Sequence, residues 1–193
     1  MTIVSPLRRV SEARRRILDT ATSLFYAEGV HAVGIDRIIA KARVAKASFY
    51  NHFPSKDELV RAYIEEQDQL GRAAIGQLLG QQPHETVFAI FDRISAAALQ
   101  PGYRGCPFIN AAAEYPDPAS PVRQAIGDHR RWFRDLMREL LIADGHPDPI
   151  RTADILVILD DGLLISGHVD DPTELAALTR DAVARVLDAR PRK

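Results

Sequence analysis

Apolar residues recur at intervals of three and four along this chain from Ile17 to Val186, and no stretch alternates apolar with polar residues as a half-buried strand would. No Asn-Gly or Asp-Gly pair joins two strand-like runs. Helices that each carry one apolar stripe must bury it against one another. The chain is therefore expected to be all-α, with about nine helices. At 193 residues it is long enough for a sizeable core, and 46% hydrophobic with 26% charged residues is an ordinary globular composition. One cysteine, Cys106, excludes a disulfide framework and any Cys-cluster zinc site. No run of 18 apolar residues and no secretory leader are visible, so no membrane partner and a cytoplasmic location are expected.

The helix boundaries can be read from caps and breakers. A first helix runs from about Ser11 to Glu28, ahead of Gly29. Two short ones follow, at about Ile35–Ala42 and Ala45–His52. Ser55-Lys56-Asp57-Glu58 reads as a capping box that opens a long helix toward Leu78. Pro83, Pro107, Pro121 and Pro149 each stand where a helix begins, the last two behind Ser120 and Asp148 as caps. The helix from Pro121 shows a seam of Val122, Ile126, His129, Phe133, Leu136 and Leu140, with Arg123, Arg130, Arg134 and Arg138 on another face. The helix at about Ile150–His168 is apolar on almost every side, which calls for a second subunit as cover. Asp171-Pro172-Thr173-Glu174 resembles a capping box for a last helix, Thr173–Asp188, with a stripe of Leu175, Leu178, Ala182 and Val186.

The formal net charge of −1 hides an asymmetry. Residues 1–61 hold eleven basic and six acidic side chains, and the remainder hold fourteen basic and twenty acidic. A basic head that meets a polyanion, joined to an acidic body, follows from that split. The head also contains Gly34 to Leu59, two short helices around the tight turn Ala42-Arg43-Val44, which is helix-turn-helix spacing. Ile38, Ile39, Val44, Phe49 and Phe53 form its expected core. That leaves Arg43, Lys46, Ala47, Ser48, Tyr50, Asn51, His52 and Lys56 as the expected DNA-binding set. Lys46 suits phosphate or a guanine edge, and Ser48 and Asn51 suit base edges or phosphate. Ala47 allows close approach, and Tyr50 and His52 donate to phosphate. Arg8 and Arg9 form a possible minor-groove arm.

This stretch resembles the TetR family of bacterial transcriptional regulators. Ile39-Ala40, Val44 and Phe49-Tyr50-Asn51-His52-Phe53-Pro54-Ser55-Lys56-Asp57-Glu58-Leu59 match the family pattern, and Phe25-Tyr26-Ala27-Glu28-Gly29 resembles the end of its first helix. Three positions depart from it: Gly34 and Ala45 stand where hydroxyl caps are usual, and Arg43 replaces a small turn residue. The resemblance implies a head over 1–54 and a ligand-binding and dimerisation bundle over 55–193. It implies a homodimer through the last two helices, with Gly162 and Gly167 allowing close approach. It also implies a repressor on a palindromic operator, released by a small molecule.

The ligand site is expected among Phe88, Phe91, Tyr103, Cys106, Phe108, Asn110, Glu114, His129, Trp132 and Phe133, for a small apolar or aromatic effector. No cofactor is expected. The alternative is a DNA-binding protein without a small ligand, controlled by a protein partner. An enzyme using Cys106, or a metal at Asp160, Asp161, His168, Asp170 and Asp171, lacks the spacing such chemistry needs.

Overall fold

The computed structural model describes residues 11–170 and 172–189. Among them are nine α-helices and no strand: α1 (Glu12–Glu28), α2 (Ile35–Ala42), α3 (Lys46–His52), α4 (Lys56–Gly76), α5 (Pro83–Ala98), α6 (Pro107–Glu114), α7 (Pro121–Ala143), α8 (Pro149–Val169) and α9 (Leu175–Asp188). No helix among the described residues is long and apolar enough to cross a membrane.

The caps are formed by hydroxyls and a carboxylate, at Ser120 and Asp148 as expected and at Ser11 in addition. Ser11 Oγ accepts from the Arg14 N–H, Ser120 Oγ from Arg123, and Asp148 from Arg151. At α4, Ser55 Oγ accepts from the Glu58 N–H at 3.2 Å, while the Glu58 carboxylate is engaged by Arg61. Only the serine half of the expected box is therefore seen. Arg8, Arg9 and Asp171 lie outside the described residues.

The helices pack around two cores. One joins α1–α3 to the first half of α4, to α6 and to the start of α7, through Ile17, Phe25, Phe49, Leu59, Tyr63 and Phe108. The other lies among α5, α7, α8 and α9, around Phe91, Phe133, Met137, Leu156 and Val183. The first core crosses residue 54, so the head is packed onto the body rather than hung from it.

Three packing expectations are corrected. The far end of the α7 seam runs through Met137 and Leu141, with Leu136 and Leu140 half-buried. A straight helix drifts off an alternating four-three repeat by about 20° per heptad, and over a helix this long the drift moves the contact by one residue. On α9 the buried side chains are Thr179, Val183 and Leu187, while Leu178 is 62% exposed. A 3-10 turn at Pro172–Glu174 delays the helix start to Leu175 and rotates the inward face by one position. Gly167 faces its own chain, since a Cβ there would lie 2.6 Å from Ala98 Cβ, whereas Gly162 looks into open space.

On α8 the apolar surface divides. Thr152, Ala153, Leu156, Val157 and Leu163 are buried within the chain. Ile155, Ile158, Ile165 and Val169 are exposed and, with Gly162, are spaced three, four, three and four apart. Of the arginine face on α7, Arg130 and Arg134 reach α8, where they pair with Asp161 at 2.6 and 2.7 Å and with Asp154 at 2.8 Å.

Candidate functional site

The second helix of the helix-turn-helix, α3, is seven residues long and buries one face. Phe49 is fully buried, Phe53 just beyond it is nearly so, and Phe49 meets Tyr50 edge-on. Burying that face turns Lys46, Ala47, Tyr50 and Asn51 to solvent, beside the exposed Arg43 of the turn. Ser48, His52 and Lys56 are half-buried at the flank. His52 Nε2 lies 2.9 Å from Ser11 Oγ, which ties the end of α3 to the start of α1. Burial pushes the Lys56 ammonium below its usual range, against the opposing pull of Glu114 and Asp57.

The three departures from the family pattern have visible local consequences. Gly34 and Ala45 occupy the N-caps of α2 and α3 without a side-chain bond. Arg43 closes α2 in the left-handed region, with φ at 53°. Its N–H donates to Ala40 O and the Val44 N–H to Ile39 O, each at 3.3 Å. Arg16, Lys41 and Arg43, with Thr20, line a shallow basic notch beside this turn. Arg16 and Lys41 are 25 positions apart in sequence, so only the packing of α1 on α2 reveals them as neighbours.

Between head and body lies a cavity of about 630 Å³. Every helix but α2, α3 and α9 contributes to its wall. Six of the ten residues expected at a ligand site line it: Tyr103, Cys106, Phe108, His129, Trp132 and Phe133. The other four do not. Phe91 is fully buried in the second core, and Phe88 packs there beneath Arg180. Asn110 donates to Arg104 O at 2.8 Å. Glu114 accepts from the Val30 and His31 N–H groups at 2.8 and 2.5 Å, clamping the turn after α1. Both polar side chains satisfy backbone groups instead of facing the cavity.

The polar groups of the wall are mostly occupied. Tyr26 Oη donates to Gly105 O at 3.1 Å and accepts from the Arg104 N–H at 2.9 Å. Tyr103 Oη donates to Leu164 O at 3.1 Å. The His129 ring lies flat on Phe108 with centroids 3.6 Å apart, and its Nδ1 is 2.8 Å from Asp68 Oδ1. Burial lowers the His129 pKa, only partly offset by Asp68. Burial also pushes the Cys106 thiol up to about 11, which leaves almost no thiolate at neutral pH and makes it a poor nucleophile.

Two polar atoms of the wall are buried without a hydrogen-bond partner among the described residues, Thr22 Oγ1 and Asp160 Oδ1. Asp160 is half-buried as a residue, but this oxygen is sealed from solvent, and burial raises its pKa to about 7. Sequence reading placed Asp160 in a possible metal cluster. The structure sends Asp161 to Arg130 and leaves Asp160 on the cavity wall. Among the described residues no three His, Cys, Asp or Glu side chains converge on one point. Thr22, Tyr26, Tyr63, Gln67 and Arg130 were also missed, because a wall shared by α1, α4 and α7 has no signature in any one helix.

Residues 17–63 match the model of bacterial regulatory proteins of the tetR family. The fold is similar to the crystal structure of SCO4454, a TetR-family transcriptional regulator from Streptomyces coelicolor. The TM-score is 0.87 at 43% identity, over 91% of this chain and 94% of that one. The HTH-type transcriptional regulator LmrA of Bacillus subtilis is 24% identical, covering 85% of this chain and 91% of its own. The HTH-type transcriptional repressor Rv3405c of Mycobacterium tuberculosis is 34% identical over 95 residues, about half of each chain.

Proposed function

This chain belongs to the TetR family of bacterial transcriptional regulators, and from that premise we propose that it represses transcription as a homodimer on a palindromic operator and is released by a small molecule. Residues 1–54 serve as the reading head and 55–193 as the sensing and dimerising body. The observation that carries the DNA-binding part is the face of α3. Phe49 is buried inward, while Lys46, Ala47, Tyr50 and Asn51 stand outward beside Arg43. A helix so presented enters the major groove, with its side chains at base edges and phosphates. Ser48, His52 and Lys56 flank that face and take phosphate or positioning roles. The repressor named among the relatives supports the sign of the regulation.

Dimerisation is supported by the exposed α8 stripe, whose three-four spacing is that of a helix seam lacking its partner. The stripe on a second copy, together with the exposed Leu178 of α9, supplies a self-complementary cover. Release is supported by the position of the cavity, which shares α1, α4 and α6 with the head's own packing. An effector shifts the dimer only by binding one spacing of the heads better than the other. Lys46→Ala tests the reading face. Binding to a duplex selected by the protein is expected to weaken at all salt concentrations, and the slope of log affinity against log salt to fall by about one. Unchanged affinity and slope would remove Lys46 from the interface.

A further inference from the structure

We propose that the cavity takes an aromatic cation, an apolar ring system bearing a protonated amine, with the Asp160 carboxylate as its counter-ion. This rests on the reading of the cavity as the effector site. The walls supply the ring contacts through Phe108, Trp132, Phe133 and Tyr63. The charge of the other lining groups is already balanced. Arg130 is held by both oxygens of Asp161, and His129 is paired with Asp68 and kept neutral by burial. Asp160 Oδ1 is left without a donor among the described residues and without a cation of its own, since Arg130, which acts on it, is committed to both oxygens of Asp161. A protonated amine supplies both at once, since an ammonium is three donors and a positive charge. Thr22 Oγ1, on the α1 part of the wall, is a second unpartnered acceptor. A carboxylate ligand would instead meet Asp160 and Asp161 together, and a neutral ring would leave Asp160 as it is.

The titratable groups around Asp160 are Asp161 on its own helix, Arg130 on α7, and Tyr103 and Cys106 from the segment before α6. Asp161 and Arg130 oppose each other there, and burial outweighs both. In the ligand-free protein the carboxyl therefore holds its proton up to about pH 7. Binding of an amine cation ionises Asp160 and sends that proton to solvent. Amine affinity consequently rises with pH between 5 and 8, by at most tenfold per unit.

A matched fluorescent series tests the class: 9-(aminomethyl)anthracene, 9-anthracenemethanol and 9-anthracenecarboxylate. They are titrated into the full chain and into Asp160→Asn, and operator release is recorded for each. The amine is expected to bind the wild type at least tenfold more tightly than the alcohol or the acid. Asp160→Asn removes that preference and changes alcohol binding less than threefold. Calorimetry of the wild type in buffers of different ionisation enthalpy is expected to show proton release with the amine alone, and this holds even where the variant folds poorly. Preference for the alcohol or the acid, or amine binding indifferent to Asp160→Asn in a folded variant, overturns the cation class and leaves the sensing reading in place. Absence of binding by all three overturns the aromatic-cation proposal, whereas the sensing reading falls only if no small molecule releases the operator.

Discussion

Arg43 closes α2 in a left-handed conformation that glycine adopts without strain and other residues adopt at a cost of about 1–2 kcal/mol. Its neighbours Arg16 and Lys41 make the same turn basic. Strain retained beside a cationic notch fits a side chain kept for a phosphate contact rather than for the turn. Asp160 is the counterpart in the body. Its folded pKa of about 7 lies above the ordinary carboxyl value. The unfolded chain therefore gives up this proton at lower pH than the folded one, and the folded state loses stability as pH rises from the carboxyl range to about 7. Asp160→Asn is expected to abolish that decline. Its stability should exceed the wild type's by roughly 4 kcal/mol at pH 8 and approach it near pH 4, as read by urea denaturation across pH. Parallel curves for the two proteins would mean that the carboxyl is hydrated.

At the scale of elements, α6 has the widest reach for its length. Its eight residues line the cavity through Phe108, Ile109 and Ala112. Its last residue, Glu114, holds the turn after α1, and the following Tyr115 donates to Asp57 Oδ1 at 2.9 Å and stacks with His31. Under the proposed sensing role, a shift of α6 around an effector would thus be passed directly to the base of α2 and the first turn of α4. The sequence made α6 legible as a helix, through Pro107 and its length, and made α2 and α3 legible to within a residue. It did not make Glu114 legible as a clamp, because its partners are backbone N–H groups 84 and 83 positions away. The cavity was half legible for the same reason. Aromatic residues of α6 and α7 mark an apolar centre by type, but Phe88 and Phe91 do so equally and fill the second core instead. The α8 stripe belongs to this scale too. Ile158 is 69% exposed in the single chain, so Ile158→Glu leaves the fold intact. In sedimentation the variant is expected at the mass of one 21.4 kDa chain, against two for the wild type. A variant that remains dimeric would place the interface elsewhere.

For the whole molecule, the net charge of −1 averages a basic reading head and an acidic body that meet across one hydrophobic core. Because that core spans both, each head is oriented by the packing of its body, and the proposed dimer through α8 would fix the distance between two heads. The operator must then carry the twofold symmetry of the proposed dimer. The direct test is selection of bound sequences from a random duplex pool by the full-length protein. The prediction is an enriched palindrome, its half-sites centred roughly one helical turn (~34 Å) or moderately more apart, occupied by two chains. Enrichment of a single asymmetric half-site, or no enrichment over the starting pool, would contradict it.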